Sequence, residues 1–112
     1  MKTFLALYMG SPENAGRRRD LSEETIARGM AAWTAWMETN AGRIVEAGGP
    51  LGVTKKTDKT GVSDIRNEVA GFVVVNAETH DEAAALFLDH PHFAIFPGDR
   101  VEIMERLPIP GA

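Results

Sequence analysis

The 112-residue chain contains no cysteine. That absence excludes disulfide staples and thiolate zinc sites, and it fits a reducing, cytoplasmic setting. Basic charge is also scarce: 12 Lys and Arg stand against 16 Asp and Glu, for a net charge of -4. Holding a phosphate backbone requires a basic surface, so nucleic acid is not an expected partner. The one basic run, Arg17-Arg18-Arg19, leads into Asp20 and Glu23-Glu24, the pattern of a solvated loop entering a helix. Long apolar runs are missing too. Phe4 to Met9 is far too short for a signal peptide or a membrane span, so no membrane partner is expected. There is no phosphate-cradling loop, since Gly48-Gly49-Pro50 lacks both the glycine spacing and the following helix, and there is no serine nucleophile motif.

What is present is an ordinary globular composition, 44% hydrophobic and 25% charged, which is enough for a core without staples. One domain spanning residues 1–112 is the expectation at this length. Residues 3–9 are apolar on both alternating faces, as in a strand covered on both sides, and Gly10-Ser11-Pro12 ends them. A polar loop over 11–21 follows. Asp20 with Glu23, or Ser22, then caps a helix expected over 22–47, along which Ile26, Met30, Trp33, Met37 and Ile44 recur at helical spacing. Gly48-Gly49-Pro50 stops it. A weakly alternating, charged second strand is expected from Leu51 to Lys56, as at a sheet edge, then a polar hairpin loop over 57–67 centred on Gly61. Val69–Val75 is a third strand, apolar on both faces. Thr79 with Glu82 caps a second helix over 80–88, with Ala83, Leu86 and Phe87 on its apolar face. The last strand is expected from Arg100 to Leu107, with Val101, Ile103 and Leu107 facing the core.

The order β-α-β-β-α-β is the split βαβ arrangement of ferredoxin-like folds: an α+β domain, both helices on one face of a four-stranded antiparallel sheet. The other face is then bare. An apolar patch of that extent marks an interface or a ligand groove, and two sheets stacked face to face would form a dimeric α/β barrel. A homodimer through the open sheet face is the expected assembly.

Several stretches, in order along nearly the whole chain, resemble the YCII-related proteins, including the DGPF branch. They are Met1-Lys-Thr-Phe-Leu-Ala-Leu-Tyr-Met9, Trp33-Thr-Ala-Trp36, Ala47-Gly-Gly-Pro-Leu51, Ala70-Gly-Phe-Val-Val-Val75, Asp81-Glu-Ala-Ala84, His90-Pro-His-Phe93 and Val101-Glu-Ile103. The resemblance implies a dimeric α/β barrel. It also implies kinship with enzymes on chlorinated hydroxyquinone-type substrates, for which a histidine–aspartate pair has been proposed. The family's histidine would fall near Ala32, yet no histidine precedes position 80, and the Asp-Gly-Pro-Phe signature is absent from 57–65. Asp89-His90-Pro91 is what resembles the family's Asp-Pro or His-Pro step.

Among the residues themselves, Asp89, His90 and His92 form the one cluster suited to acid–base work, since a histidine beside a carboxylate can hold its proton near neutral pH. The structural alternative is that Asp89 and His90 close the second helix. His90 and His92 could also ligate a metal with Asp89, but no fourth ligand stands out and no metal or cofactor is expected. Tyr8, Trp36 and Phe72 are the candidate pocket residues for a flat apolar ligand. Trp33 fits the core stripe, whereas Trp36 lies about 60° round the helix and is the better pocket candidate. Asp64 and Arg66 are a candidate pair in the loop before the third strand, and His80 is read as solvated. The expected function is a homodimeric small-ligand-binding or interaction module. The alternative is a small lyase- or hydrolase-like enzyme on a cyclic or aromatic molecule, with a His/Asp pair at the cleft.

Overall fold

The computed structural model describes residues 1–17 and 20–111. Arg18 and Arg19 of the basic run therefore lie outside the described residues. The main sheet has four antiparallel strands, β1 (Lys2–Met9), β2 (Ile44–Pro50), β5 (Val69–Ala77) and β6 (Arg100–Glu105), in the order β2-β5-β1-β6. The two strands that are apolar on both faces, β1 and β5, are the two central ones. This is the ferredoxin-like α+β fold.

Register decides which residues share a face. Phe4 lies opposite Val75, Ala6 opposite Val73 and Tyr8 opposite Gly71, while Ile103 and Val101 of β6 pair with Ala6 and Tyr8. These residues form the core with Trp33 and Trp36 from α2 (Glu23–Thr39) and Ala83, Leu86 and Phe87 from α3 (His80–Ala85) and its last turn. Phe4, Val73 and Val75 are fully buried, and each contributes roughly 1.5–3 kcal/mol. Leu5, Leu7, Phe72 and Val74 face the other way.

Several boundaries differ from the sequence reading. A short helix, α1 (Pro12–Arg17), occupies part of the expected loop. It is tied down by Asp99, whose carboxylate accepts the Ser11 backbone N–H and the Asn14 amide. Ser22 rather than Asp20 caps α2, accepting the Thr25 N–H, and Thr79 caps α3 by accepting from Glu82 as expected. The long helix stops at Thr39 instead of 47. Asn40 turns its side chain back onto the Trp36 carbonyl, and a 3₁₀ turn, Ala41–Arg43, follows. Ile44, spaced like a helical residue, instead opens β2, opposite Val75. The second strand is thus 44–50, not 51–56. Gly48 does not cap a helix but sits in this edge strand at φ 64, within the register shift between Glu46 and Gly49, where a Cβ would run into the Phe72 carbonyl. Bulges of this kind bend and twist an edge.

Residues assigned to strand two and the polar loop make a separate hairpin, β3 (Thr54–Asp58) and β4 (Gly61–Ile65), paired only with each other. Gly61, at φ 120, takes its turn, and Asp58 accepts both the backbone N–H and the hydroxyl of Thr60. Asp64 pairs with Lys55 at 2.6 Å rather than with Arg66. The second helix is shorter than expected, and a further turn, α4 (Pro91–Ala94), follows it. Leu107 lies beyond β6 and is 69% exposed, so it does not face the core. Among the described residues no helix is long and apolar enough to cross a membrane.

Candidate functional site

The chain reverses after α3 at Asp89, which adopts φ 56, a left-handed conformation that aspartate tolerates better than most residues. The turn throws Asp89 outward and His90 inward. His90 then caps α4: its Nδ1 accepts the His92 N–H at 3.0 Å, and Pro91 follows at the first helical position, where a missing N–H costs nothing. His90 does not close α3, which ends at Ala85 with Leu86 as its C-cap; it starts α4 instead, and its N–H bonds the Phe87 carbonyl in the turn between them.

His90 is fully buried. The edges of Trp33 and Trp36 face its ring at centroid distances of 4.6 and 4.7 Å, and Tyr8 stands 5.1 Å away. Its Nε2 meets the Tyr8 hydroxyl at 3.4 Å, long for a hydrogen bond. Burial, aided by the neighbouring His92, pulls its pKa down to about 4, so the ring is neutral at neutral pH. With Nδ1 occupied as an acceptor, the neutral ring carries its proton on Nε2 and offers it to Tyr8. Burial in turn pushes the Tyr8 phenol well above its ordinary value, so Tyr8 keeps its own proton.

His92 is also buried, and its Nε2 donates to the Met9 carbonyl at 2.8 Å. Its own carbonyl accepts the Gly98 N–H, which brings Gly98 so close that a Cβ there would strike the imidazole. Asp89, by contrast, is exposed. The structure therefore brings His90, His92 and Tyr8 together and leaves Asp89 outside. Among the described residues no three His, Asp or Glu side chains cluster closely enough to hold a metal ion.

Beside this cluster lies an apolar cleft of about 480 Å³ between the first half of α2, the β2–β5 edge and α4. Such volumes are typical of small-molecule sites. Tyr8, Trp33, Phe72, His92 and Phe96 are among its walls, with Ile26 and Met30. Two of the expected pocket residues, Tyr8 and Phe72, are there. The third, Trp36, is not: it packs on Phe87 and donates its indole N–H to the Leu86 carbonyl at 2.9 Å, while Trp33 takes the pocket position. Ile26 and Met30 are 41% and 55% exposed, so the upper part of the helical apolar stripe is cleft wall and not core.

Phe96 was not singled out by sequence reasoning. Its ring packs where a side chain on Gly29 would otherwise sit. A glycine inside a helix costs about 1 kcal/mol relative to alanine, and that cost is the signal of a close approach at Gly29. The bulged β2 supplies the opposite wall through Gly49 and Pro50, and Gly71 of β5 has no room for a Cβ against the Gly49 carbonyl.

No family model and no curated protein sequence matches this chain. A solved structure does. It is the 5-chloro-2-hydroxyhydroquinone dehydrochlorinase of Burkholderia phenoliruptrix in complex with 2,5-dihydroxybenzoquinone, which aligns over 95% of this chain and 93% of its own with a TM-score of 0.57. The shared feature is the fold. At 22% identity the likeness extends no further than that.

Proposed function

We propose that this chain is the subunit of a homodimeric binding protein whose cleft takes a small, flat, oxygen-bearing ring. The observation that carries the reading is the cleft itself. It is apolar on its walls, it includes the aromatic rings of Tyr8, Trp33 and Phe96, and its polar floor includes the Tyr8 phenol, which burial keeps protonated. Rings of that kind gain most of their affinity from apolar and stacking contact and their orientation from a few fixed polar groups. Tyr8 accepts from His90 and so presents its own proton to a ligand oxygen. The resemblance to the YCII-related proteins supports a cyclic ligand, as does the shared fold with an enzyme bound to a dihydroxybenzoquinone. Pairing through the open sheet face is part of the proposal, supported by the apolar row Leu5, Leu7, Phe72, Val74 and Met104 on the face away from the core helices.

The buried Tyr8–His90–His92 cluster favours a second reading, a small lyase- or hydrolase-like enzyme on the same class of ring. In that reading Tyr8 is the proton donor and His90 orients it, because the Nε2 facing Tyr8 carries a proton and has no lone pair to act as a base. Asp89 would serve only after a movement that turns it inward.

Calorimetric titration with 2,5-dihydroxybenzoquinone tests the cleft. Binding to the wild-type chain is expected, and Met30→Arg, which places a charge on an already exposed cleft wall, should weaken it at least tenfold while the melting temperature stays unchanged. Equal affinity in the two proteins would remove the cleft from consideration. Turnover of a chlorinated hydroquinone that is lost in Tyr8→Phe would move the balance to the enzyme reading.

A further inference from the structure

Among the described residues the β3–β4 hairpin has no strand partner outside itself. It pairs only with itself, every residue of β4 is exposed, and Val53 at its base and Val62 near its tip are 101% and 68% exposed. A two-stranded hairpin standing alone in water is marginally stable at best, so one with a full ladder and outward apolar side chains is built to lie on a surface. It also stretches the molecule. The radius of gyration is 15.7 Å, whereas a compact chain of this length has about 13 Å.

Its charge is opposite to that of the body. Lys55, Lys56, Lys59 and Arg66 face only Asp58 and Asp64, in a chain of net charge -4, so the remainder is more acidic than the whole. Lys55 is paired with Asp64 and Lys56 with Asp58. Lys59 and Arg66 have no ion-pair partner among the described residues. A basic arm that pairs only with itself and an acidic body on the same chain are complementary between two copies. Under two-fold symmetry each arm meets the other's body and the exchange closes.

We infer that the β3–β4 hairpin is a clasp that lies on the acidic body of a second copy of this chain, with Lys59 and Arg66 as its docking cations. The inference rests on the dimer proposed above. The attraction is electrostatic at partly exposed groups, so it is weakened by salt.

Sedimentation velocity comes first. The wild-type chain is expected to be dimeric, with a dissociation constant that rises with salt. The double variant Lys59→Glu/Arg66→Glu is expected to dissociate at least tenfold more readily and to lose most of that salt dependence. A variant joining Thr54 to Ile65 through Asn-Gly removes the arm without touching the main sheet, and it should weaken the dimer at least as much while melting normally. Because the chain has no cysteine, Val62→Cys carries a single nitroxide. Mixed with ¹⁵N-labelled wild-type chain, it is expected to broaden amides of the labelled copy near exposed carboxylates. A dimer that forms with unchanged affinity in the variants and shows no such broadening would overturn the clasp and leave the sheet-face dimer standing. A chain that is monomeric at every concentration would overturn both.

Discussion

On the helix side of the sheet, Phe4, Ala6, Val73 and Val75 are wholly buried, whereas their sequence neighbours Leu5, Leu7 and Phe72 on the other side remain partly exposed. The strands are the same and the residue types are alike. What differs is the covering. The helix side is closed by α2 and α3 and fitted with His90, His92, Trp36 and Tyr8, whose hydrogen bonds leave few choices of rotamer or tautomer. On the open side Thr3 bonds to Asn76 at 2.9 Å at one end, and Glu102, opposite Leu7, accepts from Arg100 along the edge strand, while Leu5, Leu7, Phe72 and Val74 on the central strands are apolar. Specific chemistry sits where the chain covers itself; the uncovered side is suited to a partner.

The largest expected effect is on the covered side. Phe4→Ala should cost about 3–5 kcal/mol of unfolding free energy, since it empties a fully buried site between sheet and α3. Leu7→Ala, one step away on the open face, should cost far less at concentrations where the chain is monomeric. Urea unfolding of both variants checks this, and equal losses would mean that the two faces are equally closed. Next comes association. Leu5→Asp is expected to raise the dimer dissociation constant about 100-fold or more, because an unpaired carboxylate buried at an interface costs about 3–5 kcal/mol. Its monomer should still fold, which far-UV dichroism at low concentration would show.

Acid should reach the covered side selectively. Folded His90 titrates at about 4 and the unfolded chain's histidine near its ordinary value. Between those values the unfolded state binds the extra proton, so stability is complete above about pH 6.5 and falls as pH drops toward 4. The loss attributable to His90 is about 3 kcal/mol, by the same linkage. Denaturant melts at pH 7 and pH 5 should show a slope in the wild type that flattens in His90→Gln. A wild type indifferent to pH over that range would mean that His90 is not held neutral.

The parts of this fold that were legible in the sequence are those set by local pattern. Central strands β1 and β5 show unbroken apolarity, Thr79–Glu82 marks the start of α3, and the β-α-β-β-α-β order leads to the sheet. The helix that overran did so because Ile44 keeps heptad spacing with Met37; the competing signal is Asn40 followed by Gly42, which offers the backbone another way to bond. The arm at 54–65 reads in the sequence as an edge strand running into a hairpin loop about Gly61, not as a hairpin of its own, because its strands lack the period-2 alternation that appears only where one face is buried. For the site, His90, His92, Tyr8 and Phe72 stood out by chemistry or apolarity. Phe96 and Gly29 did not, because a cleft wall is made of ordinary core residues, and only the three-dimensional gap beside them tells it from core.

The two tryptophans of α2 give the finest contrast, three residues apart on one helix. Trp36 is held in the core, its N–H on the Leu86 carbonyl and its ring 5.1 Å from Phe87. Trp33 stacks 4.9 Å from Tyr8 and shows its remaining surface to the cleft. Trp36→Phe leaves the partly buried Leu86 carbonyl without its donor and should cost about 1 kcal/mol of stability, the usual net worth of such a bond. Ring affinity should be unchanged. Trp33→Phe keeps an aromatic face against Tyr8 but shortens the cleft wall, so affinity should fall several-fold with stability altered by less than in Trp36→Phe. Thermal melts and calorimetric titration on the same two proteins separate these outcomes. If Trp36→Phe were the one to lose the ligand, the cleft would have to be redrawn toward Trp36, about 60° round the helix, where the sequence alone puts it.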